Sequence, residues 1–268
     1  MTIWQAILLG IIQGLTEFLP VSSSGHLVLF EKILGIETPT LTFNIAVHFA
    51  TLVAVCVVFW KDIIELVKKP VQKLTLWLII ATIPAALAGV LFNDFFEGLN
   101  DSGATLGIGF LITAVLLIVS SVLKPGTVEK ENMKWYDALI IGVIQMVAIV
   151  PGISRSGSTL TGGLFRKLKK EDAVKFSFLL SIPVILGGFI LEIYGAIKVG
   201  LGNIEVLPII VGMIFAGVSG FFAIKLFVKT VLKGKILYFA YYVAALGIFC
   251  IFDQFIFDDR VHVCKQNR

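Results

Sequence analysis

Two short polar segments inside apolar sequence hold the residues best suited to chemistry. The first is QGLTEFLPVSSSGH at residues 13–26, and the second is PGISRSGST at residues 151–159. Ser23 and His26 are three residues apart, which predicts a hydroxyl and an imidazole on one face of a helix. An imidazole can activate a serine hydroxyl as a nucleophile or protonate a leaving oxygen. We expect this pair to be catalytic; the alternative is a capping serine and a buried structural histidine.

Glu17 lies in an apolar run, one helical turn after Gln13, so both side chains are expected to face one way. A buried carboxylate is costly unless it has a partner. Three roles are open for Glu17: a structural ion pair with an arginine, a ligand for a divalent metal, or a group that handles protons. We expect one of the two functional roles.

The serine-rich parts of both segments are typical of helix starts, because serine side chains cap free backbone N–H groups. The N-terminus of a helix attracts anions, phosphate above all. Two such termini, at Ser22–Gly25 and Ser154–Gly157, would converge on one anionic group. Arg155 adds a guanidinium suited to phosphate, although a structural arginine is the alternative. Further hydroxyl donors are Ser154, Ser156, Ser158 and Thr159.

Pro20 is expected to break the helix that carries Glu17. Proline removes a backbone hydrogen bond from a helix interior and biases the residue before it away from the helical region. The first half-helix should therefore end near Phe18, and a second should begin near Ser22–Ser24.

The same pattern occurs twice in the chain. GVIQ at residues 142–145 repeats GIIQ at residues 10–13, and PGISRSG at residues 151–157 repeats PVSSSG at residues 20–25 with one extra residue. Gly142 follows Gly10 by 132 residues, and Gly157 follows Gly25 by the same interval. Broken, serine-rich apolar segments in corresponding halves indicate an intramembrane site.

The composition identifies an integral membrane protein. Of the 268 residues, 57% are hydrophobic and 15% are charged, against about 25% charged in ordinary soluble domains. The net charge is +4, and its basic residues flank apolar spans, so we read them as topology signals and expect no nucleic-acid partner. The three cysteines have no metal-like or paired spacing, so no disulfide is predicted.

The chain is predicted to be all-α and polytopic, as one membrane domain over residues 1–268. Six stretches approach the ~20 residues that a spanning helix needs. They are Leu41–Trp60, Leu74–Phe92, Ala104–Leu123, Phe176–Tyr194, Val206–Leu226 and Ile236–Phe255. Two further stretches, Ile3–Leu34 and Tyr136–Phe165, are broken by the polar segments and are predicted to be re-entrant hairpins. His48 and Asn44, in the first span, are expected to be interhelical hydrogen bonders or wall residues of a cavity.

The lysines and arginines cluster in alternate loops, which sets the topology. If the basic loops at 61–73, 124–134 and 166–175 are cytoplasmic, residues 135–165 must enter and leave on one side. Each half then consists of a hairpin and three spans. The halves, about 1–123 and 135–257, face opposite ways as an inverted-topology repeat, followed by a polar tail at 258–268.

Both segments resemble motifs of one family. QGLTEFLPVSSSGH is similar to the (E/Q)-G-x-T-E-F-L-P-[V/I]-S-S-[S/T]-G-H box of the bacterial undecaprenyl pyrophosphate phosphatases of the bacitracin-resistance type. PGISRSGST is similar to that family's P-G-x-S-R-S-x-x-T box, and the similarity runs from about residue 3 to residue 255.

The resemblance implies hydrolysis of undecaprenyl pyrophosphate to undecaprenyl phosphate in the bacterial cytoplasmic membrane, which recycles the carrier of cell-wall synthesis. It implies that Ser23 is the nucleophile, His26 its acid/base partner and Glu17 the catalytic carboxylate. It implies that Arg155 binds the pyrophosphate. The implied substrate-binding residues are Gln13, Ser22, Ser154, Ser156 and Thr159.

The family is also described as needing Mg²⁺ or Ca²⁺, for which Glu17 would be a ligand. The first position of the acidic box is Gln13 in this chain, so one carboxylate fewer is available for a metal. A transporter or flippase of polyprenyl phosphates is the rival reading, because broken helices in inverted repeats are typical of transporters. A homodimer, the prenyl chain length and the membrane face of the site stay open.

Overall fold

The computed structural model describes residues 1–36, 41–124, 126–199 and 205–265. These residues form α-helices, one 3₁₀ turn and no named strand, which confirms the predicted all-α class. The helices are α1 (Ile3–Phe18), α2 (Ser23–Ile33), α3 (Leu41–Val58), α4 (Trp60–Lys68), α5 (Lys73–Leu91), α6 (Asn93–Ser102), α7 (Leu106–Val122), α8 (Trp135–Val147), α9 (Arg155–Phe165), α10 (Lys170–Val199), α11 (Val206–Leu232) and α12 (Leu237–Lys265).

The two predicted breaks are present. Helix α1 ends at Phe18, Leu19 is extended at φ −64° and ψ 148°, and α2 begins at Ser23. Helix α8 ends at Val147 and α9 begins at Arg155, after a turn in which Gly152 has φ 89°. Leu19 has the extended backbone that a following proline favours, so Pro20 ends α1 as its chemistry predicts.

Each broken pair of helices folds back on itself as a hairpin. The start of α1 contacts the end of α2, because Gln5 Nε2 donates to the carbonyl of Leu34 at 3.3 Å. The start of α8 contacts the end of α9, because Arg166 Nε donates to Asp137 Oδ1 at 2.7 Å. The breaks therefore lie at the tips of two helical hairpins.

Three of the basic loops meet at one end of the molecule. Lys175 forms an ion pair with Asp62, and Lys130 Nζ lies 3.7 Å from Asp172 Oδ1. These contacts join the loops at 61–73, 124–134 and 166–175, which the charge pattern predicts to share one membrane side.

Contacts between other chain segments mark a second end. The N-terminal ammonium of Met1 lies 3.0 Å from Glu205 Oε2, and Lys32 Nζ donates to the carbonyl of Ser102 at 3.0 Å. These contacts bring together the start of α1, the end of α2, the end of α6 and the segment before α11. The predicted topology puts all four on the side opposite the basic loops.

The six predicted spans all coincide with helices, but their lengths differ from the prediction. Helix α5, residues Lys170–Gly195 of α10, and α11 are long and apolar enough to cross a membrane. The predicted span Leu41–Trp60 is not straight: the chain bends by 80° between Val58 and Trp60 into α4. Helix α4 places Lys61, Asp62, Glu65 and Lys68 in one short amphipathic segment, which favours an interfacial position. Helix α7 and the apolar part of α12, Leu237–Asp253, are shorter than 18 residues.

Two segments are more helical than the sequence indicates. Residues 93–102, which lie between the predicted spans Leu74–Phe92 and Ala104–Leu123, form α6. Helix α12 continues through residues 258–265 of the predicted tail, and residues 266–268 lie outside the described residues.

Each hairpin packs against a helix from the other half of the chain. Helix α1 packs on α11, and α8 packs on α5. Both contacts are too close for a side chain: a Cβ on Gly10 would lie 2.5 Å from the carbonyl oxygen of Gly212, and one on Gly142 would lie 2.5 Å from that of Ala81. Small residues that let helix backbones approach are typical of membrane helix contacts. These contacts hold each hairpin against a helix from the other half of the chain.

Candidate active site

The hairpin tips meet through a buried ion pair. Arg155, the first residue of α9, donates from Nη2 to Glu17 Oε1 at 2.7 Å, and Glu17 lies in the last turn of α1. The side chains are 14% and 6% exposed. Ser156 adds a second link between the tips, because its hydroxyl donates to the carbonyl of Leu19 at 3.1 Å. The predicted meeting of the two segments is therefore present.

The carboxylate of Glu17 also binds the serine of the first segment. Ser23 Oγ donates to Glu17 Oε2 at 2.6 Å, and Gln13 Nε2 donates to the same oxygen at 3.1 Å. His48 Nε2 lies 3.8 Å from it. A hydroxyl held against a carboxylate has a proton acceptor in place, which is the arrangement that an activated serine needs.

A cavity of about 200 Å³ lies beside these groups. The described residues that line it belong to the tips of both hairpins and to the helices packed on them. The polar lining residues are Thr16, Glu17, Ser22, Ser23, Ser24, His48, Gln145, Ser154 and Arg155. The apolar ones are Ala85, Ala148, Ile149, Ile153, Val184 and Ile185. The cavity therefore combines a cation, a carboxylate and hydroxyl groups with apolar walls.

The two helix starts differ in how their amides are used. Ser154 caps α9, since its Oγ accepts from the amide of Gly157 at 3.2 Å. Ser22 makes no such side-chain bond at the start of α2. The first-turn amides of α2 are therefore not used by a side-chain cap, and Ser22, Ser23 and Ser24 line the cavity. This end of α2 is the better placed of the two for an anion.

The predicted pairing of His26 with Ser23 is not found. Among the described residues, the hydrogen bonds of Ser23 and His26 include none between the two. His26 Nδ1 lies 2.7 Å from the carbonyl oxygen of Ser22, and Nε2 lies 2.8 Å from the hydroxyl of Tyr242 in α12. Because a carbonyl only accepts, Nδ1 donates and Nε2 accepts from Tyr242. Side chains in a helix lean toward its N-terminus, so the hydroxyl of Ser23, in the first turn, reaches the end of α1 instead.

His26 holds a strained part of the backbone. Ser22 has φ 71° and ψ 102°, which is uncommon for a residue with a side chain. Its carbonyl accepts from the His26 amide at 3.2 Å as well as from the ring. Such strain costs about 1–3 kcal/mol and persists where the surroundings over-determine it. His26 therefore contacts the site through Ser22.

Ser156 and Thr159, predicted to bind substrate, are not among the residues that line the cavity. Thr159 Oγ1 lies 2.5 Å from Ser177 Oγ and donates to the carbonyl of Arg155 at 3.0 Å, while Ser156 links the tips. Both are buried, and their hydroxyls contact protein groups. Gln13 contacts the site through Glu17 rather than through the cavity wall.

The described residues do not fit a divalent cation that the protein alone would hold. They contain no group of three or more histidine, cysteine, aspartate or glutamate side chains arranged for a metal. Glu17 is the sole carboxylate among the residues found to line the cavity, and both of its oxygens accept hydrogen bonds from protein groups.

The polar cavity residues outside the predicted site residues include His48 and Gln145. For His48 the sequence favours an interhelical hydrogen bond over a place in a cavity wall. Its position on the helix does not decide between the two. Gln145 was noticed as the counterpart of Gln13 in the repeat, and that correspondence could have placed it in the site.

The fold and the site define a class: all-helical membrane proteins with a polar cavity between the tips of two helical hairpins. The model of the bacitracin resistance protein BacA family matches residues 6–249, and the chain belongs to this family. It is 47% identical over 250 residues to an undecaprenyl-diphosphatase of Carboxydothermus hydrogenoformans, covering 92% of this chain and 96% of that protein. It is 46% identical over 253 residues to an undecaprenyl-diphosphatase of Halothermothrix orenii, covering 94% and 98%.

Breaking the ion pair between the tips is expected to destabilise the protein. Arg155→Met leaves Glu17 charged and buried, which costs about 3–5 kcal/mol, whereas Arg155→Met combined with Glu17→Gln removes both charges and costs less. The free energy of unfolding in detergent micelles, measured for the single and double variants, tests this. Lys169→Met, which breaks the exposed pair of Lys169 with Glu129, serves as the control and should change little. Additive losses from Arg155→Met and Glu17→Gln would contradict the pairing.

Proposed function

We propose that the protein is an integral membrane phosphatase that hydrolyses undecaprenyl pyrophosphate to undecaprenyl phosphate and inorganic phosphate. This reaction recycles the lipid carrier of cell-wall synthesis. The observation that carries the proposal is the hydroxyl of Ser23, 2.6 Å from Glu17 and beside Arg155 in one cavity. The names of the relatives, undecaprenyl-diphosphatase, support it.

The proposed architecture is six transmembrane helices with two re-entrant hairpins, in the bacterial cytoplasmic membrane. The six spans are α3, α5, α7, α10, α11 and α12, and the hairpins are α1–α2 and α8–α9. Three observations support an inverted repeat. The basic loops contact one another, each hairpin folds back on itself, and α1 packs on α11 of the second half while α8 packs on α5 of the first. Irregular backbone at membrane depth is tolerated where protein buries it or where it lines a wet cavity, as both tips do.

In the proposed complex, the pyrophosphate lies in the cavity and the prenyl chain lies among the helices. Arg155 and the uncapped first turn of α2 contact the terminal phosphate. Charge neutralisation and positioning are the main demands of phosphoryl transfer, and these two groups would supply both. Part of the charge of Arg155 is satisfied by Glu17 before substrate binds.

The chemical step starts at Ser23. Its Oγ attacks the terminal phosphorus while its proton passes to Glu17 Oε2, the oxygen that it already contacts. The bond from phosphorus to the bridging oxygen breaks, and the proton passes from Glu17 to the departing phosphate, so undecaprenyl phosphate leaves and Glu17 is a carboxylate again. The product is a phosphoserine at residue 23, which water then cleaves to inorganic phosphate and free serine. Glu17 takes the place that the sequence assigned to His26 as the proton acceptor.

Purified protein in detergent tests the proposal, because no gradient or sidedness exists there. The wild type should release phosphate from undecaprenyl pyrophosphate, and Ser23→Ala should lower the rate at least ~100-fold, since nucleophile and base act as a unit. Ser121→Ala, which removes a hydroxyl outside the cavity, is the control. Binding without release by the wild type would favour a transporter of polyprenyl phosphates. Near wild-type release by Ser23→Ala would remove Ser23 as nucleophile.

His26 is expected to act by position rather than by proton transfer. His26→Asn places an amide donor where Nδ1 lies, so it keeps the bond to the carbonyl of Ser22 but removes the base, and phosphate release should fall less than tenfold. His26→Ala removes the donor and should fall further. Loss of a general base costs about 10²–10⁴-fold in rate, so equal losses of that size in both variants would restore His26 as the acid or base.

A further inference from the structure

The side chain of Gln145 has an unused acceptor in the cavity wall. Gln145 lies in the last turns of α8, is 1% exposed, and lines the cavity with Ser23 and Arg155. Its Nε2 donates to the carbonyl of Ala81 in α5 at 3.4 Å. Its Oε1 has no hydrogen-bond partner among the described residues of the protein. The bond to Ala81 also decides the orientation of the amide, because a carbonyl oxygen accepts from nitrogen and not from oxygen.

A buried acceptor without a partner costs about 1–3 kcal/mol, so its retention at a cavity wall points to a ligand. The ligand must supply a hydrogen-bond donor. An ionised phosphate oxygen only accepts and would be repelled by Oε1, so Gln145 is unsuited to the anionic group that Arg155 attracts. Water is a donor that the proposed hydrolysis consumes.

The repeat gives a useful contrast. Gln13, the counterpart of Gln145 by sequence, is also buried and also has an Oε1 without a partner among the described residues. Its Nε2, however, donates to Glu17, so Gln13 contacts the carboxylate that binds Ser23. Gln145 is anchored instead to the backbone of α5, and the described hydrogen bonds of its side chain do not involve Glu17 or Arg155. The two glutamines are therefore attached to different parts of the site.

We propose that Gln145 Oε1 binds and orients the water that hydrolyses the phosphoserine at residue 23. This inference rests on the proposed function. The water oxygen bonds to phosphorus, and the bond between phosphorus and Ser23 Oγ breaks. One water proton stays on the released phosphate, and the other reaches Oγ of Ser23 through Glu17. Glutamine amides orient attacking water in other phosphoryl-transfer enzymes.

The experiment measures the release of undecaprenyl phosphate and the release of inorganic phosphate separately. Gln145→Met keeps the volume of the side chain but removes the acceptor, and Gln145→Glu keeps an acceptor oxygen. With ³²P in the terminal phosphate, Gln145→Met should release about one equivalent of undecaprenyl phosphate at the wild-type rate and retain label on Ser23. Its steady-state phosphate release should fall at least tenfold, and KM should fall with kcat, because only the second step is slowed. Gln145→Glu should keep phosphate release within tenfold of the wild type.

The control is Thr75→Val, which removes a buried hydroxyl without a partner among the described residues from α5, outside the cavity. It should leave both releases unchanged. Equal slowing of both releases in Gln145→Met would show a structural role and overturn the inference, as would no slowing of either. A raised KM with unchanged kcat would show that Oε1 binds the substrate instead. No release by the wild type would overturn the proposed function itself.

Discussion

The ion pair of Glu17 with Arg155 is the interaction on which the site depends. Each partner comes from a different hairpin and a different half of the chain, and both are largely buried. A buried charge is costly alone, and its cost is offset when a partner with good geometry and further hydrogen bonds is present. Glu17 has these in Ser23 and Gln13. The pair therefore couples the closure of the two tips to the alignment of the serine that the proposed reaction uses.

The rest of the fold keeps the tips together. Helix α1 lies against α11 and α8 against α5 at glycines that admit no side chain, so the hairpins cannot slide without losing close backbone contact. On the far side of α2, His26 connects Ser22 to Tyr242 of α12. The strained backbone of Ser22 is thus fixed by a helix from the opposite half. Both halves are needed to form one cavity, which explains why the repeat units alone would not give a site.

The sequence predicted the parts of this arrangement that depend on local chemistry. Pro20 and the serines placed the break between Phe18 and Ser23, and the positive-inside pattern correctly grouped the loops that Asp62, Lys175 and Lys130 join. Spacing failed where the tertiary fold, rather than position on one helix, decides the partner. Ser23 and His26 were paired from their three-residue interval, but the partner of His26 is 216 residues away and that of Ser23 lies across the proline break. The sequence does not predict the bend after Val58, because the length of an apolar run does not show the direction of the helix axis. It does not predict the helix at 93–102, because a polar composition alone does not distinguish a short helix from a loop.

One measurement tests the central claim most directly: a structure of the protein with a methylene-bridged undecaprenyl diphosphonate, which cannot be cleaved at the bridge. The account predicts that the terminal phosphonate lies within hydrogen-bond distance of the Arg155 guanidinium and the first-turn amides of α2, with Ser23 Oγ facing its phosphorus. A head group bound away from both hairpin tips, or tips that separate from each other in the complex, would contradict it.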